Sequence, residues 1–457
     1  MEDWKEMNRG NWKLAGVCGG VALTALACAP RLAHKFAPKS ATANEIVAAK
    51  ALDAKDSAAV ATYNDVPVEH KAPKRQIIRA ADLPAPYATR SADNGPNMIA
   101  RPDNAGLTVP PGFHIYVWAE NLNNPRIAQV APNGDVFVAE SGPNRVVVLR
   151  DAKGTGKADV TEVFTNSLKQ PFGIAFFPPG QNPTHVYVAN TDSVVRFPYH
   201  NGDLKANAEP EMIIPDLPGG GYHQHWTRDV VFRADGKKMY VSVGSQANVE
   251  EGEETQRAAI SEFNPDGTGR RLFASGIRNP VGLAINPVDK SLWTSVNERD
   301  GLGDDLVPDY ATSVKDGGFY GWPNYYIGQN HDPRTSEKPE LKARAIVPDV
   351  LFTSHVAALG ISFYTASQFP AEYKNSAFVA EHGSWNRLAR SGYQVVRIPI
   401  GKNGKATGGF EPFVSGWTLG DGRVWGRPVS VVTAKDGSLL ITDDGGGKIW
   451  RVVYTGK

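Results

Sequence analysis

Residues 124–149 read NPRIAQVAPNGDVFVAESGPNRVVVL. A short apolar run from Ile127 gives way to the turn Pro132-Asn133-Gly134-Asp135, and a second run follows that ends on Glu140 and Ser141. Runs this short, rich in Val and broken by Pro, Asn, Gly and Asp, are strands joined by tight turns. The plan recurs as QPFGIAFFPPGQNPTHVYVANTDSVVRF from Gln170, WTRDVVFRADGKKMYVSVGS from Trp226 and RNPVGLAINPVDKSLWTSVNE from Arg278. It returns twice more, as ALGISFYTASQFPAEYKNSAFVAEHGS from Ala358 and RPVSVVTAKDGSLLITDDGGGKIWRVVY from Arg427. A unit apolar on both faces cannot stand alone in water, and repetition around an axis gives every unit two neighbours to cover it. Six units therefore predict an all-β, six-bladed β-propeller. The strand FHIYVWAENL, Phe113 to Leu122, precedes the first unit and is expected to complete the last blade beside KIWRVVY, closing the ring.

The rest of the chain agrees with this plan. Its 457 residues include 46 Gly and 33 Pro, as a turn-rich β protein requires, and 49 Lys and Arg balance 48 Asp and Glu. That balance leaves no bulk field to draw nucleic acid or an anionic membrane, so partners must be argued from local sites. The two cysteines, Cys18 and Cys28, both sit in the apolar stretch Leu14 to Ala29, so the body has no disulfide, thiolate metal site or thiol nucleophile, and no C-x-x-C-H haem attachment. This stretch follows Arg9 and Lys13 and is short for a spanning helix. Residues 1–29 thus read as a signal peptide or an N-terminal membrane anchor, with ALA before Cys28 as a cleavage site or Cys28 itself as an acylated residue. Every alternative exports the remainder to the periplasm or the outer side of the cytoplasmic membrane, tethered there if the segment is retained or acylated. Residues 30–105, rich in Ala, Pro, Lys and Asp without periodicity, read as a linker that becomes an ordered arm near the body, and 106–457 as the propeller.

Nothing in the chain is a P-loop, a G-x-G-x-x-G after a strand, an H-E-x-x-H or a G-x-S-x-G. Polar residues instead recur where the units begin. GGGYHQHWTRDVVF, Gly219 to Phe232, places His223, His225 and Arg228 at the start of the third; Arg278 and Asn279 start the fourth and Arg427 the sixth. The innermost strands of a propeller converge on its axis, so these residues can face one pocket. The longest interval, between the fourth and fifth units, holds NERDGLGDD, in which Glu298, Asp300, Asp304 and Asp305 accompany two glycines. Carboxylates on a turning backbone suit a hard cation, calcium rather than magnesium, and the alternative is a solvated acidic turn. Trp226, Trp322, Trp385 and Trp425 are either stacking surfaces for a planar ligand or packing between blades. His355 precedes the fifth unit much as His225 precedes the third strand.

Taken together, the repeat, IRNPVGLAINP, NERDGLGDD followed by GGFYGWPNYY, and EHGSWNR with GYQVVRIPI resemble the soluble quinoprotein sugar dehydrogenases, in the sorbosone and pyranose dehydrogenase branch. The resemblance covers roughly Leu83 to the C-terminus. It implies a sugar-oxidising enzyme that uses pyrroloquinoline quinone (PQQ) and calcium and passes electrons to an external acceptor, a quinone or a cytochrome. The family's catalytic base lies seven residues before a strand phenylalanine, which from Phe232 selects His225 over His223 and leaves Arg228 a supporting group. Arg278 and Asn279 match the family's Arg-Asn pair, the arginine stabilising the reduced quinone and the amide bonding a quinone oxygen. Main-chain carbonyls near Arg299 and Asp300 would hold calcium, with Asp304 close by to orient His225 or the waters of the metal. Arg427 matches the first of two arginines in the last blade, the second being replaced around Val429, and Gln170 lies near an expected glutamine. A cofactor-binding lysine of the glucose-oxidising branch is absent from EHGSWNR, so His382, Asn386 or Arg387 must stand in for it. Two rival readings are a metal-dependent lactonase and a binding propeller without catalysis.

Overall fold

A computed structural model describes residues 65–219 and 225–456. The segment read as an export signal, both cysteines and His223 lie outside the described residues. Among the described residues no helix is long and apolar enough to cross a membrane.

Six antiparallel sheets correspond to the six sequence units. Blade 1 runs Pro125–Val130, Val136–Glu140, Arg145–Arg150 and Val160–Thr165. Blade 2 begins at Ile174–Phe177, blade 3 at Val230–Phe232, blade 4 at Asn279–Ile285, blade 5 at Ala358–Phe363 and blade 6 at Pro428–Thr433. These first strands neighbour one another in ring order, the sixth returning to the first. Strands such as Val136–Glu140 and Ala377–Glu381 are buried along their whole length because a blade is covered on both faces by its neighbours. Between blades 1 and 2 the filling is aromatic: Phe137 meets Phe164, Phe176 and Tyr199 edge-on at 5.0, 5.1 and 5.6 Å. Each such pair adds about 0.5–1.5 kcal/mol beyond area burial.

The expected closure is present. Phe113–Ala119 is the outer strand of blade 6, antiparallel to Lys448–Tyr454 with Ile115 opposite Val452 and Phe113 opposite Tyr454. The last sheet therefore joins the two ends of the propeller and hydrogen-bonds the ring shut.

On the axis each blade contributes one apolar side chain. Ile127, Phe172, Val281, Leu359 and Val429 form one buried cluster, and Trp226 of the third blade packs against it. Residues at the beginnings of the first strands line a cavity of about 760 Å³ on one side of this plug. Later residues of the same strands, among them Leu283, Ile361 and Val431, line a second cavity of about 270 Å³ at the opposite end.

The arm before the propeller lies against it: Val68–His70 pairs with Leu107–Val109, and Asn97–Met98 with Arg423–Val424. The long fourth-to-fifth interval adds Gly318–Phe319 to the outer edge of blade 3.

Candidate active site

Five of the six blades send polar side chains into the larger cavity from the start of the first strand or the end of the second, as does Gln170 just before blade 2. His225 precedes the first strand of blade 3 and is 2% exposed. Its Nδ1 lies 3.1 Å from the Ser245 carbonyl oxygen and 2.9 Å from Ser245 Oγ. A carbonyl only accepts, so Nδ1 carries the proton and Nε2 is the unprotonated nitrogen of the neutral ring. Ser245 Oγ itself donates to the Ala247 carbonyl at 2.6 Å, which leaves it able to accept from the imidazole. Burial, reinforced by Arg278, pushes the His225 pKa well below its usual value. Gly244 permits this packing, since a Cβ there would stand 2.3 Å from Asn279 Oδ1 and 3.0 Å from His225 Cβ.

Three guanidinium groups line the same cavity. Arg278 donates to the carbonyls of Glu298 at 2.6 Å and Asn248 at 3.2 Å, and meets the Asp300 carboxylate at 3.2 Å. Arg427 donates to His382 Nδ1 at 2.9 Å, while His382 Nε2 lies 2.8 Å from Asp444. His382 is therefore a neutral ring fixed between a cation and an anion, and burial with Arg427 beside it lowers its pKa to about 4. Asp444 also pairs with Arg126, whose guanidinium lies 5.5 Å from the Trp226 ring and 5.7 Å from Phe172. Burial would raise the Asp444 carboxyl, but His382 and Arg126 hold it below the usual carboxylate range.

The acidic wall is Glu298, Asp300 and Asp309. Asp309 accepts the backbone N–H groups of Glu298 and Ala357 at 2.7 and 2.6 Å, and burial pushes its carboxyl up to about 7. His355 presents Nε2 to the Gly303 carbonyl at 3.0 Å and Nδ1 to Asp300 at 3.5 Å. Burial opposes a charge there, but the carboxylate prevails and the pKa of His355 is raised. Among the described residues, the cavity thus holds two histidines kept neutral, His225 and His382, and one, His355, favoured as a cation. Asn124, Asn144, Gln170, His355 and Ala357, all lining it, have φ of 53, 59, 46, 66 and 54°. Left-handed backbone at non-glycine residues costs energy that the surrounding fold must supply, and it gathers at functional sites.

Of the residues singled out in the sequence, the structure brings His225, Arg278, Asn279, Asp300, His382 and Arg427 to one cavity, with Gln170, Glu298, His355, Trp226 and Trp385. It does not bring the others. The Arg299 side chain is fully buried behind the wall, paired with Glu298 at 2.9 Å and Asp332 at 3.2 Å. Asp304 lies outside the cavity, where its carboxylate accepts the Leu388 N–H at 3.0 Å, and Ser245 takes the place beside His225 expected of it. Asn386 spans Gly301 and Ala92, and Arg387 pairs with Asp305 at 2.9 Å, so neither side chain lines the cavity. The Asp300 carbonyl expected to ligate calcium already accepts from Asn248 at 3.1 Å and Arg334 at 2.7 Å. Among the described residues no group of three His, Cys, Asp or Glu is placed to hold a metal ion. Trp425 packs with Trp417 and Trp450, and Trp322 donates to the Asn248 carbonyl; both are buried outside the cavity. Arg228 supports the His225 loop from behind, donating to the His225 carbonyl at 2.9 Å.

Sequence reasoning missed Arg126, Asp444, Ser245 and Asp309. Arg126 had a signal: NPR in the first unit sits where RNP and RP carry Arg278 and Arg427. Ser245 and Asp444 follow second strands, at the small or acidic termini common to the repeats.

Residues 107–314 and 324–455 match the TrAA12-like family. The chain belongs to that family. The resemblance to PQQ-dependent sugar dehydrogenases holds at this level too. A PQQ-dependent pyranose dehydrogenase of Coprinopsis cinerea is 23% identical over 412 residues, 76% of this TrAA12-like chain and 54% of that protein, so the chain spans about half its length. An uncharacterized protein of Borreliella burgdorferi is 29% identical over 360 residues, 76% of this chain and 91% of that one. Among solved structures, the calcium structure of the Trichoderma reesei AA12 enzyme superposes with a TM-score of 0.67 at 18% identity, covering 78% of this chain and 99% of that one. The holo PQQ domain of the Coprinopsis pyranose dehydrogenase gives 0.66 at 19%, covering 79% and 100%. At these identities the structural likeness establishes the propeller fold.

Proposed function

We propose that this protein is an exported PQQ-dependent oxidoreductase that oxidises a sugar, whether an aldose, a pyranose or a sorbosone-like keto-aldehyde, and passes the electrons to an external acceptor. The observation that carries the reading is His225, neutral and with Nε2 as its basic nitrogen, in a cavity shared with three guanidinium groups. PQQ is a planar o-quinone with three carboxylates, and the residues present fit it. Arg126, Arg278 and Arg427 offer charge-matched donors, and Arg126 Nε and Asn279 Oδ1 are buried without a hydrogen-bond partner. Two of the residues expected to contact cofactor, Asn386 and Arg387, are otherwise engaged, and Arg126 and His382 take over that wall.

In this reading His225 Nε2 removes the proton of the hydroxyl on the carbon being oxidised, or of its hydrate when the substrate is an aldehyde, while Nδ1–H stays on Ser245. Arg278, fixed by the Asn248 and Glu298 carbonyls, faces the negative charge that develops on the oxygen atoms at the reacting end. Bound PQQ supplies the two-electron acceptor for the hydride that leaves the same carbon. Calcium held by the main-chain carbonyls near Arg299 and Asp300 would have to draw the Asp300 carbonyl away from Asn248 and Arg334, which donate to it. The apolar segment Leu14 to Ala29 supports export.

Purified protein mixed with PQQ, with and without calcium, is expected to bleach a redox dye when a sugar from a panel is added. The absence of any PQQ-dependent spectral change would overturn the reading, and lactone hydrolysis without PQQ would favour the lactonase. His225→Gln should keep PQQ affinity and lose about 10²–10⁴-fold in turnover.

A further inference from the structure

Tyr87 to Met98 runs across the face of the propeller that bears the cavity. It touches blade 4 first: Tyr87 N–H donates to the Leu302 carbonyl at 2.8 Å, and Thr89 Oγ1 accepts from Asp304 N–H at 2.9 Å. The approach is close enough to require glycine on the other side, since Gly303 has a φ of 119° and a Cβ there would stand 2.8 Å from the Thr89 carbonyl oxygen. Over blade 5, Asn94 N–H donates to the Trp385 carbonyl at 2.7 Å and its side chain to the Leu388 carbonyl at 2.8 Å. At blade 6, Asn97–Met98 becomes a parallel strand beside Arg423–Val424. Two side chains of the blade 5 loop hold the crossing. Asn386 Nδ2 donates to the Ala92 carbonyl at 2.6 Å, and Arg390 donates to the carbonyls of Asn94 and Gly95 at 2.8 and 2.7 Å.

Between these anchors lies Pro96, which lines the cavity beside Trp385, Gly383 and Arg427. We propose that this strap is the specificity-determining wall of the site: Pro96 limits how far a substrate extends over blades 5 and 6, and Asn386 and Arg390 are positioning residues that hold it there. Proline suits the task, because its ring fixes the backbone and presents an apolar edge without a donor. The carbonyls of Ala92, Asn94 and Gly95 accept from Asn386 and Arg390, and none of these residues lines the cavity, so the strap meets it through Pro96 rather than through polar groups that would bind a longer sugar. The specificity role rests on the sugar-oxidising reading, whereas the clamp does not.

The test has two arms on the full chain. In the first, hydrogen exchange of the amides in 87–99 is followed in the wild type, Asn386→Ala and Arg390→Ala without cofactor. Exchange faster by about tenfold in that segment, with blade amides unchanged, is the expected result; unchanged exchange in both variants overturns the clamp. In the second, PQQ-loaded wild type, Arg390→Ala and Pro96→Gly are compared on a monosaccharide and its disaccharide. The disaccharide-to-monosaccharide ratio of kcat/KM should rise by about tenfold, through KM rather than kcat. A constant ratio, or a loss shared equally by both sugars, overturns the specificity role. If no sugar is oxidised at all, the functional reading falls and takes that role with it, while the exchange arm still decides the clamp.

Discussion

Of the three described histidines that face the cavity, His225 and His355 are held in opposite charge states, and the cause is local. His225 lies among guanidinium groups and bonds Ser245 through Nδ1, whereas His355 lies against the Asp300 carboxylate. The folded-state pKa of His225 is depressed, so the folded protein holds fewer protons there than the unfolded chain. Its contribution to stability is therefore present above the ordinary histidine value, about 6.5, and is lost as the pH falls through the folded-state value; His382 behaves alike. If His225 is the base, as proposed, it is unprotonated at neutral pH, and the acid limb of kcat/KM should lie well below 6.5 in a pH–rate profile. An acid limb at or above 6.5 would show that a different group accepts the proton. Serine at 245 carried no sequence mark of this role, because a serine after a strand is ordinary until the fold turns it toward an imidazole.

Buried arginine side chains tie the described residues on either side of His225. Arg228 is fully buried and gives its terminal nitrogens to the carbonyls of Pro218, His225 and Thr227. Arg257 adds a bond to the Gly219 carbonyl at 2.7 Å. Removing the donors in Arg228→Met strands three carbonyls, which should cost about 1–3 kcal/mol in a denaturant titration and reduce turnover more than PQQ affinity. Equal losses in turnover and affinity would make the arginine a structural staple only. At this scale the sequence was a partial guide. GGGYHQHWTRDVVF announced a loop feeding a strand, and counting from Phe232 chose His225, which lines the cavity, while His223 lies outside the described residues. EHGSWNR guided only in part: His382 lines the cavity, whereas Asn386 and Arg387, which look as well suited to an anionic cofactor, are spent on the arm and on the acidic loop. An arm without hydrophobic periodicity leaves no trace of the partners its carbonyls will find.

For the whole molecule the repeat was decisive. Six strand–turn–strand units required six blades, and a spare strand before the first had one unpaired neighbour to join. The site was legible only where the chemistry recurs at equivalent places, as with Arg278 and Arg427. Arg126 obeyed that rule and escaped notice because NPR inverts the order of RNP. Ring closure rests on Phe113–Ala119, so a charge buried in that strand should act on every blade. Ile115→Asp, at a position 3% exposed opposite Val452, should lower global stability by about 3–5 kcal/mol and broaden the thermal transition. A sharp transition displaced by less than this would mean that the ring holds without its clasp. The six apolar side chains on the axis have a different consequence. They part the larger cavity from the smaller one at the opposite end, so under the proposed function sugar and oxidised product would enter and leave from the face that bears the site.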